Sequence, residues 1–232
     1  MGFKKKMRLA SYTVLNALLS VPALAQAPLS VGDILKKVAN TYSSLTQWDF
    51  EARTTSTLEP GGQFTRPQRT AGKGSSKRRM EIGDAVSGKA LVIADGENVW
   101  AYQTQRNQYT RKAQVQEPAG TLSYFDALLL AYRFGPAGES DARLLREESI
   151  EIGNTKADCY VIQFQSVRRP RSVTTWWIDK RRYLVLRDDQ AGGPDPSFVG
   201  SSTIWIRTQV NAVPDDLFIF TPPPGAKEQA AL

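Results

Sequence analysis

No histidine occurs in the 232 residues and only one cysteine, and these absences exclude more chemistry than any motif supplies. Without imidazole there is no Ser-His-Asp or Cys-His nucleophile, no histidine-ligated zinc and no histidine general base. A single cysteine cannot form an intramolecular disulfide. Cys159 lies in Cys159-Tyr160-Val161-Ile162-Gln163-Phe164, a strand pattern in which it reads as a small buried hydrophobe. Phosphate-cradling loops are missing too, because neither Gly61-Gly62 nor Gly192-Gly193 leads into a helix. The adjacent carboxylates Asp188-Asp189 and Asp215-Asp216 read as loop and edge charge, since neighbours on a strand point to opposite faces. The expectation is a protein that is not an enzyme and holds neither cofactor nor metal.

Long apolar runs are also scarce. The exception is the amino terminus, where Lys4, Lys5, Lys6 and Arg8 precede an apolar stretch from Thr13 to Leu24 and a small-x-small site at Ala23-Leu24-Ala25. This pattern predicts a secretory signal peptide over residues 1–25 with cleavage after Ala25. The competing reading is a membrane anchor, but Asn16, Ser20 and Pro22 interrupt a stretch shorter than the ~20 residues that span a bilayer. Without residues 1–25 the chain keeps 26 Lys and Arg against 23 Asp and Glu, a net charge of +3. An exported, mildly basic chain has no broad electrostatic footprint for nucleic acid. Residues 26–232 are long enough for one domain with a sizeable core, and they contain no repeat, low-complexity tract or domain linker.

What is present is strand pattern. Ala90 to Tyr102 is two runs of β-formers folded back at Asp95-Gly96, a pair favoured in tight hairpin turns. Both faces of this hairpin are apolar, so each needs a cover. Upstream, Ser30 to Leu45 reads as a helix with a capping-box-like start, followed from Gln47 by a period-two strand running to Leu58 and turned back at Gly61-Gly62. Gln63 to Gly83 reads as two strands joined by a bend around Gly72 to Ser76, and Asn107 to Lys112 as another strand. Thr121 to Phe134 reads as a very apolar helix stopped by Gly135-Pro136. Strand patterns follow at Leu144–Ile152, Ala157–Gln165, Ser172–Asp179, Tyr183–Asp189, Phe198–Val210 and Leu217–Thr221. About ten strands joined by short turns imply one antiparallel meander.

Basic clusters occur at Lys77-Arg78-Arg79, at Arg168, Arg169 and Arg171, and at Lys180-Arg181-Arg182, each near a strand end or turn. They either solvate sheet edges or dock an acidic partner or anionic membrane, where each cation contributes ~1 kcal/mol.

Two stretches carry a family resemblance. Ala90-Leu91-Val92-Ile93-Ala94-Asp95-Gly96-Glu97-Asn98-Val99-Trp100-Ala101-Tyr102 resembles the central hairpin of the periplasmic outer-membrane lipoprotein-carrier (LolA-like) family. Leu217-Phe218-Ile219-Phe220-Thr221-Pro222-Pro223-Pro224-Gly225-Ala226 resembles that family's ending. Together with both helices and Trp177-Ile178-Asp179, the similarity spans nearly all of residues 26–232.

The resemblance implies a mainly β (α+β) fold, an open curved antiparallel half-barrel whose concave apolar face is covered by helices and receives acyl chains. It implies a periplasmic, monomeric carrier of lipid or of lipoprotein acyl chains that works with an inner- or outer-membrane protein partner. An alternative is a sensor or interaction module of the same fold, and a third is a structural protein with a filled core. On the carrier reading the lining residues are Met80, Ile82, Leu91, Ile93, Trp100, Tyr102 and Trp176, with Phe125, Leu128, Leu129 and Tyr132 contributed by the mid-chain helix as a lid. The family's lid-latching arginine maps nearest to Arg78 and Arg79, in a segment without the accompanying proline, and Arg168, Arg169 and Arg171 are the docking candidates.

Overall fold

A computed structural model describes residues 29–84, 86, 88–114, 139–166, 171–192 and 197–230. Ser30 opens the only α-helix among them. Its Oγ accepts the Asp33 N–H at 3.1 Å and donates to the Asp33 carboxylate at 2.6 Å, and helix α1 runs Val31–Ser43. Ile34, Val38 and Tyr42, spaced four apart on one side of the helix, are its buried residues. The buried Tyr42 hydroxyl accepts the Val185 N–H at 3.1 Å, and burial pushes its pKa up.

Apart from one 3₁₀ turn, the remaining regular structure among the described residues is one sheet. Its strands are β1 (Gln47–Leu58), β2 (Gly62–Lys73), β3 (Lys77–Ile82), β4 (Ala90–Ala94), β5 (Asn98–Gln103), β6 (Gln108–Ala113), β7 (Glu139–Ile152), β8 (Thr155–Ser166), β9 (Val173–Asp179), β10 (Val185–Ala191), β11 (Phe198–Val210) and β12 (Lys227–Gln229). The order across the sheet is β12-β6-β5-β4-β3-β2-β1-β11-β10-β9-β8-β7. Two antiparallel meanders, β1–β6 and β7–β11, are joined where β11 pairs with β1, and β12 adds in parallel to β6. The sheet does not close.

This corrects the expected architecture of about ten strands with helices over the concave face. Among the described residues the sheet has twelve strands and helices covering a face are not seen: a single α-helix joins the core made by β1 and β8–β10 with Trp205 of β11. The apolar pattern on both faces of the hairpin signalled that covers were needed. Pattern alone could not say that irregular chain would supply one of them. The expected helix Thr121–Phe134, with Phe125, Leu128, Leu129 and Tyr132, lies outside the described residues, as do residues 1–28.

The ending is a second correction. Leu217–Thr221 is not a strand but a 3₁₀ turn, Asp215–Phe218, followed by extended chain, and the short strand comes later as β12. Alternating Phe218 and Phe220 imitate a strand pattern, while Pro222, Pro223 and Pro224 lack the N–H groups a ladder uses. In the central hairpin the Asp95 N–H donates to the Asn98 carbonyl at 3.0 Å, so the turn's central pair is Gly96-Glu97 and not Asp95-Gly96. Gly96 supplies the positive φ there, +108°. The Asp95 carboxylate meanwhile accepts from the Glu97 and Asn98 N–H groups and from Trp100 Nε1 at 2.7 to 2.8 Å.

Candidate functional site

Register decides which side chains share a face. Cross-strand pairs run Phe50–Thr70–Met80–Val92–Ala101 and Trp48–Gly72–Arg78–Ala94–Val99 on one face. On the other they run Asp49–Ala71–Arg79–Ile93–Trp100 and Glu51–Arg69–Glu81–Leu91–Tyr102. Trp48 and Phe50 belong to the core that contains Ile34, Val38 and Tyr42, so the first is the helix-bearing face.

The residues expected to line one cavity therefore divide. Met80, Ile82 and Trp176 lie on the helix-bearing face, whereas Leu91, Ile93, Trp100 and Tyr102 lie on the opposite one. Trp176 is a core residue, 1% exposed and edge-on to Phe164 at 4.6 Å. The pairing of Met80 with Val92 and of Arg79 with Ile93 sets the relative parity, and nothing in the sequence announces it. Val92, Val99 and Ala101, which share the face of Met80, did not appear in the expected set. The alternation in β4 and β5 marks them as one side of the hairpin, without saying which.

On the opposite face charge and aromatic rings are sorted. Arg207 Nη2 bonds the Asp49 and Glu51 carboxylates at 2.6 Å each, and Arg69 Nε meets Asp49 at 2.8 Å. Glu81 pairs with both Arg79 and Lys89. Burial raises its pKa, but the bonds from Lys89 and Arg79 outweigh this and hold it below the ordinary value. Beside this ladder, Phe220 packs against Trp100, Tyr102 and Tyr109 with ring centroids 5.2 to 5.9 Å apart. The segment Val213–Phe220 is pinned there by buried Val213 and Phe218 against Ala71. Arg79 Nη1 donates to the Leu217 carbonyl at 2.7 Å, and Asp215 bridges Lys73 and Lys77 at 2.9 and 2.7 Å.

Arg78 and Arg79, the latch candidates, thus point to opposite faces. Arg79 clasps the carboxy-terminal strap, and Arg78 stacks over the Trp48 ring at 4.9 Å. Of the docking candidates, Arg171 is exposed at a turn, while Arg168 and Arg169 lie outside the described residues. Cys159 is fully buried, and burial followed by the carboxylates of Asp179, Asp158 and Glu148 pushes its thiol up to about 12. Among the described residues no group of acidic or cysteine side chains is arranged to hold a metal, and no helix is long and apolar enough to cross a membrane.

Among the described residues, two concavities on the sheet surface are prominent. One, of about 400 Å³, is walled by polar side chains such as Thr55, Gln163, Thr175 and Asp189 together with Val173 and Ala191. The other, of about 550 Å³, lies where β11 runs on past the start of β10, with Ile152, Ala157, Leu186 and Ile206 among its apolar walls.

No family model matches the chain. It is 24% identical over 204 residues to an uncharacterized protein of Methanocaldococcus jannaschii, covering 86% of this chain and 53% of that one. The chain therefore spans about half the length of the curated relative it matches. Among solved structures it is similar to an uncharacterized conserved protein from Thermus thermophilus, at 15% identity and TM-score 0.48, over 88% of this chain and 100% of that one. A LolA superfamily protein from Nitrosomonas europaea is similar at 13% identity and TM-score 0.35, over 83% and 99%. The MucA/MucB complex of Pseudomonas aeruginosa is similar at 14% identity and TM-score 0.42, over 80% and 59%. Structures of the family that the two sequence motifs resemble are thus among those this chain is similar to. These likenesses concern the fold.

Proposed function

We propose that the protein is an exported, periplasmic binding protein that takes acyl chains of a lipid or lipoprotein onto the strip formed by Met80, Ile82, Val92, Val99 and Ala101, without catalysing a reaction. One observation carries this reading. These five apolar side chains are half-buried and lie on three adjacent strands, on the same face as the helix-bearing core, while Arg79 and Glu81 of β3 point the other way. Their half-burial leaves apolar area for a ligand to cover. A sixteen-carbon chain offers roughly 13 kcal/mol of gross burial at ~0.8 kcal/mol per methylene. That is comparable to or above an association cost of ~4 to 15 kcal/mol, so one chain gives modest affinity and two give more. A membrane protein is the expected donor or acceptor of such cargo.

The test is titration of the purified protein with a fluorescent fatty acid. Met80→Glu should weaken binding at least tenfold, and Ile219→Ser, at a 63% exposed site on the strap, should leave it unchanged. No binding by the unaltered protein, or equal binding by Met80→Glu, would sink the acyl reading.

A further inference from the structure

Charge is divided unequally between the two faces of strands β1–β6. The carboxylates those strands carry are Asp49, Glu51 and Glu81, and register puts all of them on the face opposite the helix. There they pair with Arg207, Arg69, Arg79 and Lys89. On the helix-bearing face the same strands carry Arg66, Arg78 and Lys112 and no carboxylate. The face that holds the acyl strip is thus cationic without compensation from its own strands.

These cations are not equivalent. Arg66 stacks over the Phe64 ring at 4.8 Å, towards the β1–β2 turn and away from the strip. Arg78 is committed to its own surroundings, because Nη1 donates to the Gly74 and Lys77 carbonyls at 2.9 and 2.8 Å and the guanidinium lies over Trp48. Lys112 is exposed, and its side chain forms no hydrogen bond or ion pair among the described residues. It is the cation left for a ligand.

Register also places Lys112 against the strip. Its cross-strand partner is Val99, and the row continues through Ala94 to Arg78. The next row is Met80–Val92–Ala101–Thr110, and the one beyond it is Ile82–Ala90–Gln103–Gln108. The strip therefore has a cationic end and an end closed by neutral amides, about 13 Å apart at ~3.3 Å per residue. Directly opposed side chains start ~5 Å apart at Cβ, so the four-carbon stem of Lys112 can carry its ammonium over Val99. An exposed lysine alone would be ordinary solvation of an apolar surface. Here it stands at one end of a half-buried apolar strip, on a face whose strands lack carboxylate. A neutral head group would gain nothing from that arrangement, whereas an anionic one would.

We infer that the acyl ligand is an anionic amphiphile whose carboxylate or phosphate head is held by Lys112 at the Arg78–Val99 end of the strip. This inference rests on the acyl reading of the strip and names the class of ligand that the strip selects.

The test compares probes that share one labelled acyl chain and differ in the head: a fatty acid against its methyl ester, and lysophosphatidylglycerol against lysophosphatidylcholine. At low salt the anionic member of at least one pair should bind about fivefold more tightly than the neutral member, and the difference should shrink as salt rises. The pair with the larger difference identifies the head as carboxylate or phosphate. Lys112→Glu should erase the preference and Lys112→Arg should keep it, with Tm unchanged in both. Lys156→Glu makes the same change of net charge at an exposed lysine of β8, and it should leave the preference as it is. Equal binding within both pairs, or a preference that Lys112→Glu does not reduce, would overturn the inference and leave the acyl reading standing. Absence of binding by every probe would sink both.

Discussion

At the scale of single residues, Gly72 shows how a glycine can look like a turn and act as a seat. It lies within β2 under the Trp48 indole, and a Cβ added there would come within 2.2 Å of the ring. Trp48 is 4% exposed and has little room to withdraw. Gly72→Ala should therefore cost about 1 to 3 kcal/mol in denaturant unfolding, the usual range for overpacking. Combined with Trp48→Ala, the added methyl should cost much less than it does alone, a non-additivity expected of residues in contact. Cys159 gives a second test at this scale. Its burial and raised pKa predict no reaction with a thiol reagent in the native protein at pH 8, and stoichiometric reaction in denaturant.

At the scale of elements, the carboxy-terminal strap is held by few groups whose charge can be changed. Hydrogen bonds from Lys77 and then Lys73 hold the Asp215 carboxyl well below its ordinary value, at about 2. With the docked pKa depressed, the contribution of this carboxylate is present above the free value near 4. It fades as pH falls from there through about 2, because protonation favours the released strap. Trp100 fluorescence, sensitive to Phe220 beside it at 5.2 Å, should report this loosening. Asp215→Asn should remove the transition. Phe218, 1% exposed, anchors the same segment. Phe218→Ala should cost about 3 to 5 kcal/mol if the strap unfolds with the sheet, as a core truncation does. A smaller loss accompanied by protease sensitivity near residue 215 would identify the strap as a separately opening unit.

Across the whole molecule the burial is lopsided. Helix α1 and strands β1 and β8–β10, with Trp205 of β11, share a core containing Phe50, Ile162, Trp176, Ile178 and Trp205, each 2% exposed or less. The β2–β6 wing has a far smaller buried cluster of its own around Ala71 and Phe218. Native-state hydrogen exchange should therefore be slowest in β8–β10 and measurably faster in β4–β6, since local opening follows the density of buried apolar contacts. Uniform protection would contradict this gradient. The open sheet also needs guarded rims. β12 is only three residues long and all exposed. β7, a fourteen-residue rim strand, carries Arg143, Arg146, Glu147, Glu148 and Glu151, which oppose pairing with another chain.

Local signals in the sequence were enough for the elements. The Ser30 cap, the four-residue spacing of Ile34, Val38 and Tyr42, and the alternation of Trp48, Phe50 and Ala52 each depend on contacts within a turn or along one strand. The two ends of the central hairpin followed for the same reason, although its turn lies one residue further on. What pattern could not determine depends on distant pairs. The parity of Met80 against Ile93 is set by the register in which β3 pairs with β4. The identity of the cover over Trp100 is set by a strap more than a hundred residues away. The concavity beside Thr208 exists because β10 begins too late to accompany β11 to its end. Side-chain alternation tells a strand which residues share a face, but only pairing with its neighbours tells that face where the core lies. For this chain the face that Met80 shares with Val92, Val99 and Ala101 was therefore decided by the tertiary structure, and the strands that carry it by the sequence.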